Sequence, residues 1–123
     1  MAHGTSPLVQ GFTIKALSDT AKPETKKALG NMLEMQAATG MASALHGMGA
    51  REDTSSVLAN TTLPVLIITS KNDNVISYEQ SENMHKLAKN STLVFIEDAG
   101  HLSSLENPKQ WNDAVISWYS RLY

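Results

Sequence analysis

The stretch PVLIITSKND, residues 64–73, decides the fold of this protein. Its middle, Val65–Thr69, is a β-branched run that is apolar on both faces, and such a run predicts a strand buried within a parallel sheet. A second run of the same character, TLVFI at residues 92–96, predicts a second buried strand. Polar residues follow each run closely, which predicts a loop after the carboxyl end of each strand.

Helices are predicted after each of these strands. Ser77 and Gln80 form a capping box, which predicts a helix from there to about Lys89. Asn107 and Pro108 predict the start of a last helix. The apolar residues expected to face inwards are Met84, Leu87 and Ala88 on the first helix, and Trp111, Ala114, Val115, Trp118 and Leu122 on the last. The order strand–helix–strand–helix predicts an α/β fold with parallel strands and a right-handed crossover.

The chain before residue 60 differs in composition and pattern. It is rich in methionine and alanine, and its apolar residues recur at helical spacing. Pro23 predicts the start of one helix, since proline suits a first turn. Gly40 is expected to separate this helix from a second one that begins at Met41. Residues 1–22 are weakly patterned, with room for a short helix within residues 8–17.

Composition excludes several classes of protein. The 123 residues leave room for one domain, and the net charge of -2 comes with no basic patch for nucleic acid. No apolar run is long enough to span a membrane, and the absence of cysteine excludes disulfides and thiolate sites. No metal site is expected, because neither His46 nor His85 has a second ligand at metal spacing. No signal peptide is visible, which makes a cytoplasmic protein the expectation.

The two loops that follow the strands carry the residues suited to chemistry. Asp73 lies in the first loop and His101 in the second. Ligands of open α/β sheets bind at the carboxyl ends of the strands, so these side chains are expected on one rim. A carboxylate beside an imidazole is the orienting half of a nucleophile–histidine–acid triad. Taken singly, Asp73 also suits a turn after a strand, and His101 suits a loop histidine with a local structural role.

These features together resemble the α/β-hydrolase family. Residues 64–73 look like its penultimate strand and acid-bearing loop, and residues 92–101 look like its last strand and histidine loop. Leu105-Glu106-Asn107-Pro108 is similar to the Glu-x-Pro segment that opens the family's final helix. Ala50-Arg51-Glu52-Asp53 resembles a segment of the family's small ester hydrolases and lactonases.

The resemblance implies a fold, a reaction and two site residues. Residues 1–59 would be a helical segment derived from the cap, or lid, and residues 60–123 the last part of the hydrolase core. Asp73 matches the triad acid and His101 the triad histidine. The implied substrate is a small-molecule ester or lactone, and no cofactor is implied.

The nucleophile of that family has no match in this sequence. The family places its serine on a G-x-S-x-G elbow, and no serine here lies in that pattern. Gly4-Thr5-Ser6-Pro7-Leu8 lacks the second glycine, and Ser103 and Ser104 follow His101 with no elbow, so structural hydroxyls are the better interpretation. We therefore expect the C-terminal part of a hydrolase. The alternative is a non-catalytic module that acts only by association.

Association is expected in either case. A strand at residues 65–69 with one bare edge would recruit another chain. The methionine-rich faces of the N-terminal helices would also be left uncovered. The sequence therefore predicts a homo-oligomer that forms through the strand edge or through the cap helices.

Overall fold

The computed structural model describes residues 6–123, with side chains from residue 9 onwards. Helices and strands alternate in its second half, as the sequence predicts. The elements are α1 (Ser6–Ala16), α2 (Pro23–Glu34), α3 (Ala38–Gly49), α4 (Ser55–Asn60), β1 (Val65–Thr69), α5 (Tyr78–Leu87), β2 (Ser91–Phe95), α6 (Ser103–Glu106) and α7 (Pro108–Tyr119). The α/β fold class is therefore confirmed. Among the described residues, none of the helices combines the length and the apolar character that a membrane span requires.

The two strands form a parallel pair, with Val65 opposite Ser91 and Thr69 opposite Phe95. β1 has the predicted bounds, whereas β2 begins and ends one residue earlier than predicted. Ser91 joins the strand because it lies in register with Val65, and Ile96 still donates its N–H to the Thr69 carbonyl at 2.8 Å. The pairing brings the carboxyl ends of both strands, and the loops that follow them, to the same edge.

The N-terminal half is helical, but its breaks differ from the prediction. α2 begins at Pro23 as expected. Gly40 does not separate the helices: it lies in the first turn of α3, and the break comes at Ala37, whose backbone is extended. Glycine costs a helix only about 1 kcal/mol, so it does not by itself end one.

Helix α4 was not predicted. The charged run before it contains Asp53, whose side chain binds Ser55, the first residue of α4. Asp53 Oδ1 accepts the Ser55 N–H at 2.8 Å and the Ser55 hydroxyl at 2.5 Å, and the hydroxyl bond is the main cause of a lowered pKa for Asp53. An acidic side chain two residues before a serine pair was the available signal.

The inward faces of α5 and α7 are only partly as predicted. Ala88 is buried, but Met84 and Leu87 are exposed at 43% and 38%. The reason is that two strands are too narrow to cover the whole face of α5, which packs on β1 and β2 around the buried Ser81. On α7, four of the five predicted residues are half-buried, and Leu122 lies exposed beyond the helix end.

The buried cluster that matters for the site joins the N-terminal half to the loop after β2. Ala16, Leu17 and Leu29 form its centre, and Leu102 packs against them from that loop. The end of α1 therefore rests directly on the segment that carries His101.

Candidate active site

Asp73 and His101 meet at the carboxyl edge of the two strands. His101 Nδ1 lies 3.0 Å from Asp73 Oδ2. The Asp73 side chain is only 9% exposed, whereas the His101 side chain is 33% exposed. The proximity expected from the sequence is confirmed, and it leaves the imidazole accessible while the carboxylate is shielded.

The Asp73 carboxylate serves a turn as well as the imidazole. Its Oδ1 accepts the N–H groups of Val75 and Ile76, each at 2.8 Å. Its Oδ2 is left for His101. The turn interpretation and the triad interpretation of Asp73 are thus both compatible with the structure, since each uses a different oxygen.

The same contact sets the tautomer of the neutral histidine. An ionised carboxylate only accepts hydrogen bonds, so Nδ1 of His101 must carry the proton that faces Asp73. The lone pair of the neutral ring then lies on Nε2. This is the tautomer that a general base needs.

The Ser70 side chain links the loop after β1 to the loop after β2. Its hydroxyl donates to the Gly100 carbonyl at 3.0 Å, and the residue is 2% exposed. Sequence reasoning missed this residue. A small hydroxyl side chain directly after an apolar strand was the only local indication of it.

Tyr78 packs the first turn of α5 against the end of β2. Its ring lies 5.1 Å from that of Phe95, and its hydroxyl donates to Glu82 Oε1. That hydrogen bond is the main cause of a raised pKa for Tyr78, so the phenol keeps its proton. The contact anchors the start of the helix that follows the Asp73 loop.

Gly100 precedes His101 at a point where the chain has no room for a side chain. A Cβ there would lie 2.6 Å from the Ser18 nitrogen and 2.7 Å from the Leu17 carbonyl carbon. Both are backbone atoms and cannot swing aside. The glycine before His101 is therefore required by the close approach of the segment that follows α1.

We expect Gly100→Ala to lower the free energy of unfolding by about 1–3 kcal/mol, because the added methyl group overpacks this contact. Gly47→Ala is the matched control, since it lies in a helix with open space around it. The control is expected to raise stability by about 0.5–1 kcal/mol. Urea unfolding of both variants measures the difference, and a Gly100→Ala variant as stable as the native chain would contradict the packing argument.

The other candidates from the sequence do not join the site. Ser103 is buried in α6, and no serine hydroxyl among the described side chains hydrogen-bonds His101. His85 Nδ1 lies 2.7 Å from Ser91 Oγ, and that hydroxyl also reaches the carbonyls of His85 and Ala88, which makes a local contact. Within residues 6–123 no group of three or more metal-ligating side chains is found.

An apolar groove of about 170 Å³ lies among α1, α2 and α3. Met41 and Met48 line it together with Phe12 and Leu33. Met32 and Met35 lie outside this groove and are exposed at 54% and 84%, and Met48 on its wall is 49% exposed. Part of the methionine-rich surface thus forms a concave apolar wall.

The fold and the acid–histidine pair define an α/β-hydrolase-like chain, and comparison with known families agrees. The family model described as TAP-like protein, an α/β-hydrolase family, matches residues 30–119. The chain therefore belongs to this family of α/β-hydrolases.

Known structures share the architecture over nearly the whole chain. A thermophilic esterase from Thermogutta terrifontis superposes with a TM-score of 0.88 at 25% identity, over 93% of this chain and 43% of the esterase. A hydrolase from Pseudomonas aeruginosa gives a TM-score of 0.84 at 24% identity, over 97% of this chain and 45% of that protein. The bifunctional epoxide hydrolase 2 of Mus musculus is 36% identical over 56 residues, which is 46% of this chain and 10% of that enzyme.

The chain is shorter than the proteins it resembles. It spans less than half of the esterase, and at most 26% of the curated relatives. The similarity therefore establishes the family and the fold of this portion.

Proposed function

We propose that this chain is the acid–histidine portion of a serine hydrolase that cleaves carboxylic esters or lactones. The observation that carries the proposal is the hydrogen bond between Asp73 Oδ2 and His101 Nδ1 at 3.0 Å. The similarity to a solved esterase supports the substrate class. The serine nucleophile and the oxyanion hole would come from sequence outside these 123 residues.

In this proposal His101 transfers the proton, and Asp73 holds the imidazole of His101 in place. Nε2 takes the proton of the serine hydroxyl as the serine oxygen attacks the ester carbonyl carbon. Asp73 stabilises the imidazolium that forms, and the imidazolium then gives its proton to the departing alkoxide. A water molecule repeats the sequence on the acyl-enzyme and restores the serine. The reaction so written uses no cofactor.

The proposal divides the chain into two parts. Residues 1–59 would be the cap-derived helical segment, and residues 60–123 would be core. The groove beside Met41 and Met48 then suits an apolar acyl or aromatic group, because methionine side chains adapt to irregular shapes. The cytoplasmic location expected from the sequence belongs to the same proposal.

The rival is a chain that acts only by association. Its support is that no serine of this sequence lies in a G-x-S-x-G pattern. The two proposals differ in what Asp73 and His101 do once a nucleophile is supplied. A chimera with an esterase that contributes its own serine would supply this nucleophile.

The chimera replaces the matched segment of the Thermogutta terrifontis esterase with this chain, so that the esterase contributes the rest of its sequence. We expect this protein to hydrolyse p-nitrophenyl acetate in steady state and to be titrated by a serine-directed phosphonate. The isolated chain is the control, and we expect it to be no faster than free imidazole at equal concentration. Without a serine and an oxyanion hole, the histidine alone offers little more than solution catalysis.

The chimera is judged only once it melts cooperatively, which shows that the two parts have folded together. A folded chimera without hydrolysis would contradict the proposed function. Turnover by the isolated chain, abolished by the phosphonate, would instead show that a nucleophile lies within these 123 residues.

A further inference from the structure

The Glu106 carboxylate accepts hydrogen bonds from three donors, two on Ser18 and one on Gly100, the residue before His101. Glu106 Oε1 accepts the Ser18 N–H at 3.0 Å and the Ser18 hydroxyl at 2.5 Å. Glu106 Oε2 accepts the Gly100 N–H at 2.7 Å, with the Ser18 N–H also within 3.2 Å. Glu106 thus joins the segment after α1 to the loop before His101, although Ser18 and Glu106 are 88 residues apart in sequence.

The hydroxyl of Ser18 has a defined direction in this arrangement. It also lies 3.2 Å from Thr20 Oγ1, and either oxygen of that pair could donate. Ser18 has a single hydroxyl proton, and the Glu106 carboxylate can only accept. The proton of Ser18 therefore goes to Glu106, and Thr20 donates to Ser18. The 2% exposure of Ser18 keeps water from competing for these bonds.

The two neighbours of His101 are both held by backbone hydrogen bonds. Gly100 donates to Glu106, and Leu102 donates its N–H to the Ala16 carbonyl at 3.0 Å. His101 therefore lies between two anchored positions, and its ring is held at the far end by Asp73. The N–H of Gly100 is held by Glu106 and its carbonyl by the Ser70 hydroxyl, so both polar groups of Gly100 help to fix the backbone that leads into His101.

We propose that Glu106 is a positioning residue for His101, acting through the Gly100 amide and through Ser18 of the N-terminal segment. Its carboxylate sets the backbone direction from which the imidazole reaches Asp73. The inference rests on the proposed function only where it takes His101 to be catalytic. The positioning can be measured in this chain without any activity.

The chemistry requires a carboxylate of this length. Glutamine has one carbonyl oxygen, and its NH₂ group would face an N–H or O–H donor, so Glu106→Gln loses at least one of the three bonds. Aspartate keeps both accepting oxygens but is one methylene shorter. Glu106→Asp is therefore expected to restore part of what Glu106→Gln loses.

The experiment compares variants of the 123-residue chain by NMR. In Glu106→Gln we expect amide exchange at Gly100 and Ser18 to become about 10–100-fold faster, as bonds to a charged acceptor are lost. We also expect the ring nitrogen shifts of His101 to move from the Nδ1–H tautomer towards a mixture. Glu106→Asp should give intermediate values. Glu97→Gln is the matched control, because Glu97 is exposed and lies in the loop that carries Gly100 and His101, and it should match the native chain.

Ser18→Ala keeps the test decisive if Glu106→Gln does not fold. It removes the hydroxyl and leaves both N–H bonds to Glu106, so a smaller shift in the same direction is expected. Unchanged His101 ring shifts in a folded Glu106→Gln or Ser18→Ala variant would overturn the proposal, even with faster exchange at Gly100. An inactive chimera would defeat the proposed function but leave these NMR results intact, so the two failures are distinguishable.

Discussion

Replacing His101 with alanine in the chimera is expected to lower kcat by about 10⁴-fold or more. The imidazole would remove the serine proton and return it to the leaving group, and alanine does neither. The residual rate would come from binding and from the oxyanion hole of the esterase portion. His46→Ala is the control, because that histidine is exposed on α3, and it should keep full activity. Steady-state kinetics with p-nitrophenyl acetate measure both variants.

Asp73→Asn separates the two roles that the structure gives this carboxylate. The amide oxygen of asparagine can still accept from Val75 and Ile76, so the turn is preserved. Its NH₂ group, however, would face His101 Nδ1 and select the tautomer with the proton on Nε2. That tautomer cannot take a proton from serine, so we expect a loss of about 10⁴-fold.

The matched control for that substitution is Asp113→Asn, since Asp113 pairs with the exposed Lys109 at 2.7 Å on the surface of α7. It should leave kcat unchanged. If Asp73→Asn keeps most of the activity, Asp73 is a turn residue and the triad assignment is wrong.

Local signals were enough to place the elements of the second half. The apolar run at Val65–Thr69 is the observed β1, Ser77 caps α5 by accepting from the Gln80 N–H, and Asn107 caps α7 in the same way. These features depend on residues close in sequence, and their chemistry does not need the rest of the fold. The shared location of Asp73 and His101 could also be predicted from the sequence, because parallel strands bring their carboxyl ends to one edge of the sheet.

Contacts between distant segments could not be predicted in this way. The hydrogen bonds from Ser18 to Glu106 span 88 residues, and the reason for glycine at position 100 is the backbone of Leu17 and Ser18. The exposure of Met84 and Leu87 likewise depends on the width of the sheet. Periodicity identifies an apolar face, but it does not say whether another element covers that face.

The edge of β1 that faces away from β2 carries backbone groups that another chain could pair with. Val65 donates to Asn90, and Thr69 accepts from Ile96, so alternate residues of β1 are bonded towards β2. In a parallel pair the intervening residues, Leu66 and Ile68, then direct their N–H and C=O groups to the opposite edge. In the described part of the chain the sheet has only two strands, so no strand covers that edge.

We expect the isolated chain to form a homodimer with the β1 edges of two copies paired about a two-fold axis. Apolar surface covered by the pairing adds to this: at about 25 cal/mol per Å², burial of a few hundred Å² contributes about 5–10 kcal/mol. Light scattering after size exclusion at micromolar concentration should give twice the 13.4 kDa mass of one chain.

Ile68→Pro tests whether the edge makes the contact, because proline removes the N–H that points away from β2 and is tolerated on an edge strand. It should give a monomer, whereas Ile68→Val, which keeps the N–H and the β-branched shape, should stay dimeric. A dimer that survives Ile68→Pro would assign the contact to the N-terminal helices instead. A native chain of 13.4 kDa that melts cooperatively would contradict association by either surface, and would mean that the β1 edge is stable in water without a partner.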